Sequence, residues 1–322
     1  VKIISRWLCT LALLACGAAM AQPGYPSRPV RLVVPFPPGA ATDILGRLLA
    51  QRLQESWGQS VVVDNKPGAG SIIGAEIVAK APADGHTLFM GHIGTHGANP
   101  ALYAKLPYDP VKDFAPVSLL VTIPNLVAVH PSVPAGNIRE LIDLARTRPG
   151  TINVASPGIS TSAHLMIALF RSITGADLTH VPFKGSAAAM QALGAGEVQV
   201  AFDTVTSVMP QVRAGRVKAL AITSKDRSAA APDVPPLAES GVSGFDVATW
   251  FALFAPFGTP KAVVEKVGID TVRNLQARDT AERLQAMGMT IIASTPEQLA
   301  THVNSEIARW GKVVREANIK VE

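Results

Sequence analysis

A chain of 322 residues, 48% hydrophobic and only 16% charged, carries enough apolar side chain for two domains with real cores and is far from a disordered composition. Its formal charge of +5 falls to +3 once Lys2 and Arg6 are set aside. The remaining basic residues form no stripe and have few aromatics between them, which excludes a nucleic-acid-binding face.

Lys2 and Arg6 precede the apolar run Trp7 to Ala15, and Ala19-Met20-Ala21 follows with small residues on either side of Met20. This is the layout of a secretory signal peptide over residues 1–21, cleaved after Ala21. The run is too short to span a bilayer. An uncleaved anchor and a lipoprotein acylated at Cys16 are the alternatives. Both cysteines, Cys9 and Cys16, lie in this leader, so the mature chain from about Gln22 excludes disulfides, thiolate metal sites and cysteine nucleophiles.

From Val30 onward short β-branched runs alternate with segments of helical period. Val30 to Val34 reads as a strand, and Ile44, Leu45, Leu48, Leu49, Leu53 and Trp57 then fall on one helical face. Gly58 ends that helix, Ser60 to Asp64 is a second strand, a helix runs from Ser71 to Ala81, and His86 to Gly91 is a third strand. The spacing implies parallel βαβ units buried on both faces. Around Leu119 to Pro131 two apolar runs flank Pro124 with no helix between them, and a second series begins. It comprises helix 138–148, strand 152–156, helix 161–173, strand 179–183, a short helix from Ser186, strand 198–203, a helix to Ala214 and strand 218–223. Proline- and glycine-rich links lead to a strand at 249–256 and helices near 262–277, 280–287 and 296–317.

The helical tail needs a partner, and folding it back on the first series makes the chain cross twice between two α/β lobes. The first lobe is then discontinuous, residues 22–123 plus 245–322, and the second is 124–244. Two crossings make a hinge with a cleft between the lobes. Ligands of open α/β sheets bind beyond the carboxyl ends of strands, where loops meet helix N-termini.

The loops at those ends are distinctive. Phe36-Pro37-Pro38-Gly39-Ala40-Ala41-Thr42-Asp43 joins stiff prolines to a glycine and then opens a helix. Its amides from Gly39 to Asp43 suit an anion, each contact contributing about 0.3–1 kcal/mol. A stiff turn with Thr42 or Asp43 as cap is the simpler alternative. Gly68, Gly70 and Gly74 are spaced as tight-turn glycines and not as a dinucleotide fingerprint. His92 and His96 invite a zinc reading, but the glycines around them argue against a shared helical face and no glutamate accompanies them. Gly94, Thr95 and His96 read better as neutral hydrogen-bonding groups.

In the second series Ser156, Gly158, Ser160, Thr161 and His164 again end a strand and open a helix with hydroxyls. A hydrolase elbow would need Gly-x-Ser-x-Gly, and Gly158-Ile159-Ser160-Thr161-Ser162 lacks the second glycine. An exported hydrolase using Ser160 or Ser162 remains the enzymatic alternative. Phe183, Lys184 and Gly185 follow the next strand; Lys184 faces an anion or a salt-bridge partner. Asp203 receives a ligand ammonium or hydroxyl, or caps its helix. Strand ends rich in small and hydroxyl residues and poor in charge fit a binder without catalytic residues, metal or cofactor.

The segments "YPSRPVRLVVPFPPGAATD", "VVVDNKPGAGSIIGAEIVAKAPADGHTL", "GTHGANPALYAKLPYDPVKDFAPVSLL", "HVPFKGSAAAMQALGAGEVQVAFDT" and "WFALFAPFGTP", in that order, resemble the extracytoplasmic solute receptors of the tripartite tricarboxylate transporter family, the Bug proteins. The resemblance runs from about Tyr25 to the C-terminus. It implies a type II periplasmic-binding-protein fold closing on a small organic carboxylate: a di- or tricarboxylate, an amino acid or an aromatic acid. It also implies a periplasmic, monomeric protein that delivers the solute to membrane permease subunits, with presentation to a sensor as the alternative output. The family holds ligand carboxylates largely through main-chain amides and ordered water. Three departures stand out. Ala40 replaces a usual glycine and disfavours positive φ there, Phe183 replaces a tyrosine, and Ala168 stands where a glutamate is common.

Overall fold

The computed structural model describes residues 24–319; the leader assigned to 1–21, with both cysteines, lies outside them. Strand β1 (Val30–Val34) has Leu32, Val33 and Val34 buried and feeds α1 (Ala41–Trp57), whose Leu45, Leu48, Leu49 and Leu53 form the buried face that the spacing predicts. Gly58 ends α1 in the left-handed conformation, φ 64°, with its N–H returned to the Gln54 carbonyl. β2 (Val61–Asn65), α2 (Ile72–Ala79) and β3 (Thr87–His92) follow, and β1 lies between β2 and β3, parallel to both. The stretch after β3 is helical despite its glycines: a wide turn over Gly94–Ala98 runs into α3 (Asn99–Leu102).

The two apolar runs expected around Pro124 are a single strand, β4 (Phe114–Val129). The second series then supplies α4 (Ile138–Thr147), β5 (Asn153–Ser156), α5 (Ser162–Thr174), β6 (Thr179–Pro182), α6 (Ser186–Gly194), β7 (Val200–Thr204), α7 (Val205–Arg213) and β8 (Lys218–Ile222). The chain returns through β9 (Ala248–Pro256), α8 (Lys261–Gln276), α9 (Arg278–Ala286), the two-residue β10 (Thr290–Ile291) and α10 (Pro296–Glu316). The order β2-β1-β3-β9-β4-β7-β5-β6 makes one curled, mixed sheet, with β8 and β10 also paired to β4.

β4 joins the two halves. Its first part, through Pro124, pairs antiparallel with β9; from Asn125 it pairs antiparallel with β7, and from Leu126 also with β8. Proline has no N–H for a ladder, and Pro124 stands where the strand changes partners. The parallel arrangement expected throughout therefore holds for β2-β1-β3 and for β6-β5-β7, while β9 and β4 run antiparallel between them. The helical tail packs against β4, α1 and the turn after β3. Buried Glu306 of α10 accepts both the Trp250 indole N–H from β9, at 2.8 Å, and that of Trp310, at 3.0 Å. Among the described residues, no helix is long and apolar enough to cross a membrane.

Candidate functional site

The carboxyl ends of β1, β5, β6 and β7 converge on a narrow cavity of about 40 Å³. Its walls bring together Ala40, Ala41 and Thr42 at the start of α1, Thr161, Ser162 and Ala163 at the start of α5, Ser186 at the start of α6 and Thr204 before α7. Four helix beginnings from the two halves of the sheet thus surround one space. These helix beginnings turn partial positive charge toward it; no lysine or arginine lines it, and Asp203 is the charged side chain on its wall. An opening of about 540 Å³ adjoins the cavity at Ser186 and runs from Gly39 along α6 and α7, and one of about 730 Å³ lies apart, between α5 and the end of α10.

At α1 the intrahelical ladder begins with Ile44 N–H to the Ala40 carbonyl, and Ala40 has no capping side chain, so the amides of the first turn stay open. Ala40 is extended, φ −70° and ψ 158°, as its side chain requires, and the positive φ of 85° falls on Gly39. Two residues expected to meet ligand are used internally. The Gly39 N–H donates to Asp43 Oδ2 at 2.9 Å, and buried Asp43 also accepts from Arg47 and Asn65. These partners hold the Asp43 carboxyl below its ordinary range although burial pushes the other way. Asp43 therefore locks the turn; it does not line the cavity, and neither do Gly39 or the exposed Pro38. Phe36 does, its ring 4.8 Å from that of His92.

Across the cavity Thr161 caps α5, accepting the His164 N–H and donating to the Gly158 carbonyl at 2.7 Å. Ser160, in the left-handed region at φ 61°, does not line the cavity but packs between the halves. Its Oγ is 3.2 Å from the Tyr103 hydroxyl, and a Cβ added to Gly94 would overlap its carbonyl. Among the described residues, the histidine ring nitrogen bonded to Ser160 is His164 Nδ1, and it accepts the backbone N–H, not the hydroxyl. Ser156 bonds the ring of His180 at 2.7 Å beneath the loop, and His164 stacks on His180 facing the opening beside α10. Burial pushes His164 down to about 4 and His180 down to about 3.

Phe183 packs into the core under α6, Lys184 is exposed, and Gly185, at φ 103°, lies against Pro37, to which a Cβ would come within 3.3 Å. None of these three lines the cavity. Pro37 and Gly185, like Gly94 and Ser160, are where the loops of the two halves touch.

Asp203 lines the cavity and divides its work between two oxygens. Oδ1 accepts the Thr204 N–H at 2.7 Å and the Ser186 hydroxyl at 3.0 Å, while Oδ2 has no partner. Burial pushes its pKa up to about 6 against the pull of Thr204, Ser186 and the nearby Ser207 hydroxyl.

At the end of β3 the cavity residue is His92 and not His96. His96 stacks 3.8 Å from Phe254 within the core, and Thr95 is consumed by hydrogen bonds to the His92 backbone and His96 Nδ1. Burial holds the His96 ring well below its ordinary range and pushes His92 down to about 3, so both rings are neutral. Gly94 donates to His92 Nδ1 at 3.0 Å, which positions that ring and does not reach the cavity.

Asn125 of β4 and Thr249 and Phe251 of β9 also line the cavity. The Thr249 hydroxyl donates to Asn125 Oδ1 at 2.7 Å and also bonds the Ser162 hydroxyl, tying α5 to both crossing strands. These strand residues carry no loop signal; the proline break next to Asn125 is the one cue in the sequence to their place. Among the described residues no cluster of three or more metal-binding side chains occurs.

Two α/β halves joined by β4 and by the chain entering β9, with helix beginnings from each facing one cavity, define a type II periplasmic-binding-protein fold, the build of a solute-binding receptor. The chain belongs to the tripartite tricarboxylate transporter receptor family, the Bug proteins; the profile "Tripartite tricarboxylate transporter family receptor" matches residues 45–319. It is 36% identical to Protein BugT of Bordetella pertussis over 324 residues, 99% of each chain. Among solved structures it is similar to R. palustris Rpa4515 with adipate, at 38% identity and TM-score 0.89, covering 92% of this chain and 99% of that one. It is also similar to MatC (Rpa3494) of Rhodopseudomonas palustris with bound malate, at 38% identity and TM-score 0.86, covering 90% and 100%.

Proposed function

We propose that this protein is a periplasmic receptor that binds a small organic carboxylate between its lobes, residues 22–123 with 245–322 and residues 124–244, and delivers it as a monomer to the permease subunits of a tripartite tricarboxylate-type transporter. The observation that carries this reading is the convergence of the α1 and α5 beginnings on one cavity lined by no lysine or arginine. Amide N–H groups held by two different lobes can grip one carboxylate only when the lobes are closed, which couples binding to shape. Relatives at 38% identity with adipate and with malate support the ligand class. A micromolar ligand needs about −8 kcal/mol, within reach of several charge-assisted hydrogen bonds plus apolar burial.

Calorimetric titration with a panel of mono-, di- and tricarboxylates, amino acids and aromatic acids tests the reading. At least one carboxylate is expected to bind with micromolar or better affinity, and its amide or ester analogue at least a hundredfold more weakly. A panel without a binder, or an uncharged analogue that binds as well as its acid, overturns it.

A further inference from the structure

Two buried polar atoms beside the cavity lack partners, and they are complementary. Asp203 and His92 are each 1% exposed and both line the same space of about 40 Å³. Asp203 Oδ1 is taken by Thr204 and Ser186, and Oδ2 accepts nothing. His92 Nδ1 accepts the Gly94 N–H, so the ring proton of the neutral imidazole is on Nε2, and that N–H donates to nothing. The site therefore offers one acceptor and one donor beyond the helix amides. Buried groups of this kind remain unmatched only at a cost, and a ligand that meets them gains by it.

The ligand groups differ in how many of the two they can satisfy. An ammonium donates to Asp203 but has no lone pair for His92. A second carboxylate or a ketone accepts from His92 but places negative charge or a bare lone pair against Asp203. A hydroxyl does both, donating its hydrogen to one and accepting from the other. We infer that Asp203 and His92 are specificity residues that select a hydroxy acid, its hydroxyl donating to Asp203 Oδ2 and accepting from His92 Nε2–H while the helix beginnings hold the carboxylate. This inference rests on the carboxylate reading of the cavity. A site built to hydrogen-bond a hydroxyl discriminates strongly against the analogue without it, because its own polar groups are then left unpaired.

The test is calorimetric titration of the full protein at pH 8 with matched acids: lactate, propionate and alanine; malate, succinate and aspartate; citrate and tricarballylate. In the series that binds, the hydroxy acid is expected to bind at least tenfold more tightly than both its unsubstituted and its amino counterparts. Asp203→Asn, which presents an amide N–H₂ or its oxygen in place of the carboxylate, is expected to bring hydroxy and unsubstituted acids within threefold of each other, and His92→Phe to narrow the gap in the same direction. Equal affinity of malate and succinate in the unaltered protein, an amino acid that outranks its hydroxy acid, or a preference unchanged in Asp203→Asn overturns the inference and leaves the carboxylate site standing. The comparison within the unaltered protein does not depend on a variant that folds. If no acid in any series binds, the carboxylate reading itself falls.

Discussion

The most consequential side chain is a carboxylate kept where its charge is costly. Asp203 is buried, its pKa is pushed up to about 6, and one oxygen is unpaired. In the unfolded chain an aspartate titrates near 3.9, so between about pH 4 and pH 6 the folded form holds a proton that the unfolded form has lost. Stability from this group is therefore greatest at low pH and falls as pH rises through that window. Replacing Asp203 by Asn removes the titration while keeping an oxygen for Thr204 and Ser186. Urea unfolding is expected to show the variant gaining on the parent by roughly 1–3 kcal/mol between pH 4 and pH 7.5. A difference that does not change with pH would mean that the carboxyl titrates normally. Stability given up at a binding site in this way is a familiar trade.

The start of α1 is an element whose function lies in what it leaves open. Pro37, Pro38 and Gly39 stiffen the entry, Asp43 ties the turn together from behind, and Ala40 supplies no cap. The amides of the first turn are then available, and Ala41, the first helical residue, lines the cavity. Proline is well tolerated at this position, and Ala40 already has the extended conformation that a following proline demands. Ala41→Pro deletes one N–H and leaves the helix intact. It is expected to weaken carboxylate binding about tenfold, as loss of one hydrogen bond to a charged group would, with a melting temperature within a few degrees of the parent. Equal affinity would remove α1 from the carboxylate grip.

At the scale of the whole molecule, the proposed grip on a carboxylate depends on closure of the two halves. β4 and β9 carry the crossings, and Asn125, Thr249 and Ser162 link those strands to α5. The halves touch where Ser160 meets Gly94 and where Gly185 meets Pro37. A methyl group at Gly94 would overlap the Ser160 carbonyl and crowd the His92 ring. Gly94→Ala is therefore expected to hold the lobes apart. Solution scattering should show the parent shrinking when its ligand is added and the variant keeping the same radius, with affinity at least tenfold lower. A variant that still compacts would show that this contact does not gate closure.

Much of this protein is legible in its residues because the relevant physics is local. Helical and strand periods, the glycine that ends α1 and the proline-glycine entry to α1 depend on neighbours a few positions away, and they place the strand ends where the cavity lies. Phe36, Ala40, Ala41, Thr42, Thr161 and Asp203, named from the sequence on that basis, line the cavity. What only the tertiary structure decides is which polar atom remains free after packing. His92 and His96 are chemically alike in sequence, yet Phe254 claims one ring while the other borders the cavity. Gly39 loses its N–H to a side chain four residues on, and Asp203 caps with one oxygen and keeps the second unpaired. Asn125 and Thr249 reach the site only because two strands distant in sequence cross between the halves. Hydrogen-bond satisfaction is settled by every group that comes within about 3 Å, and that company is assembled by the fold.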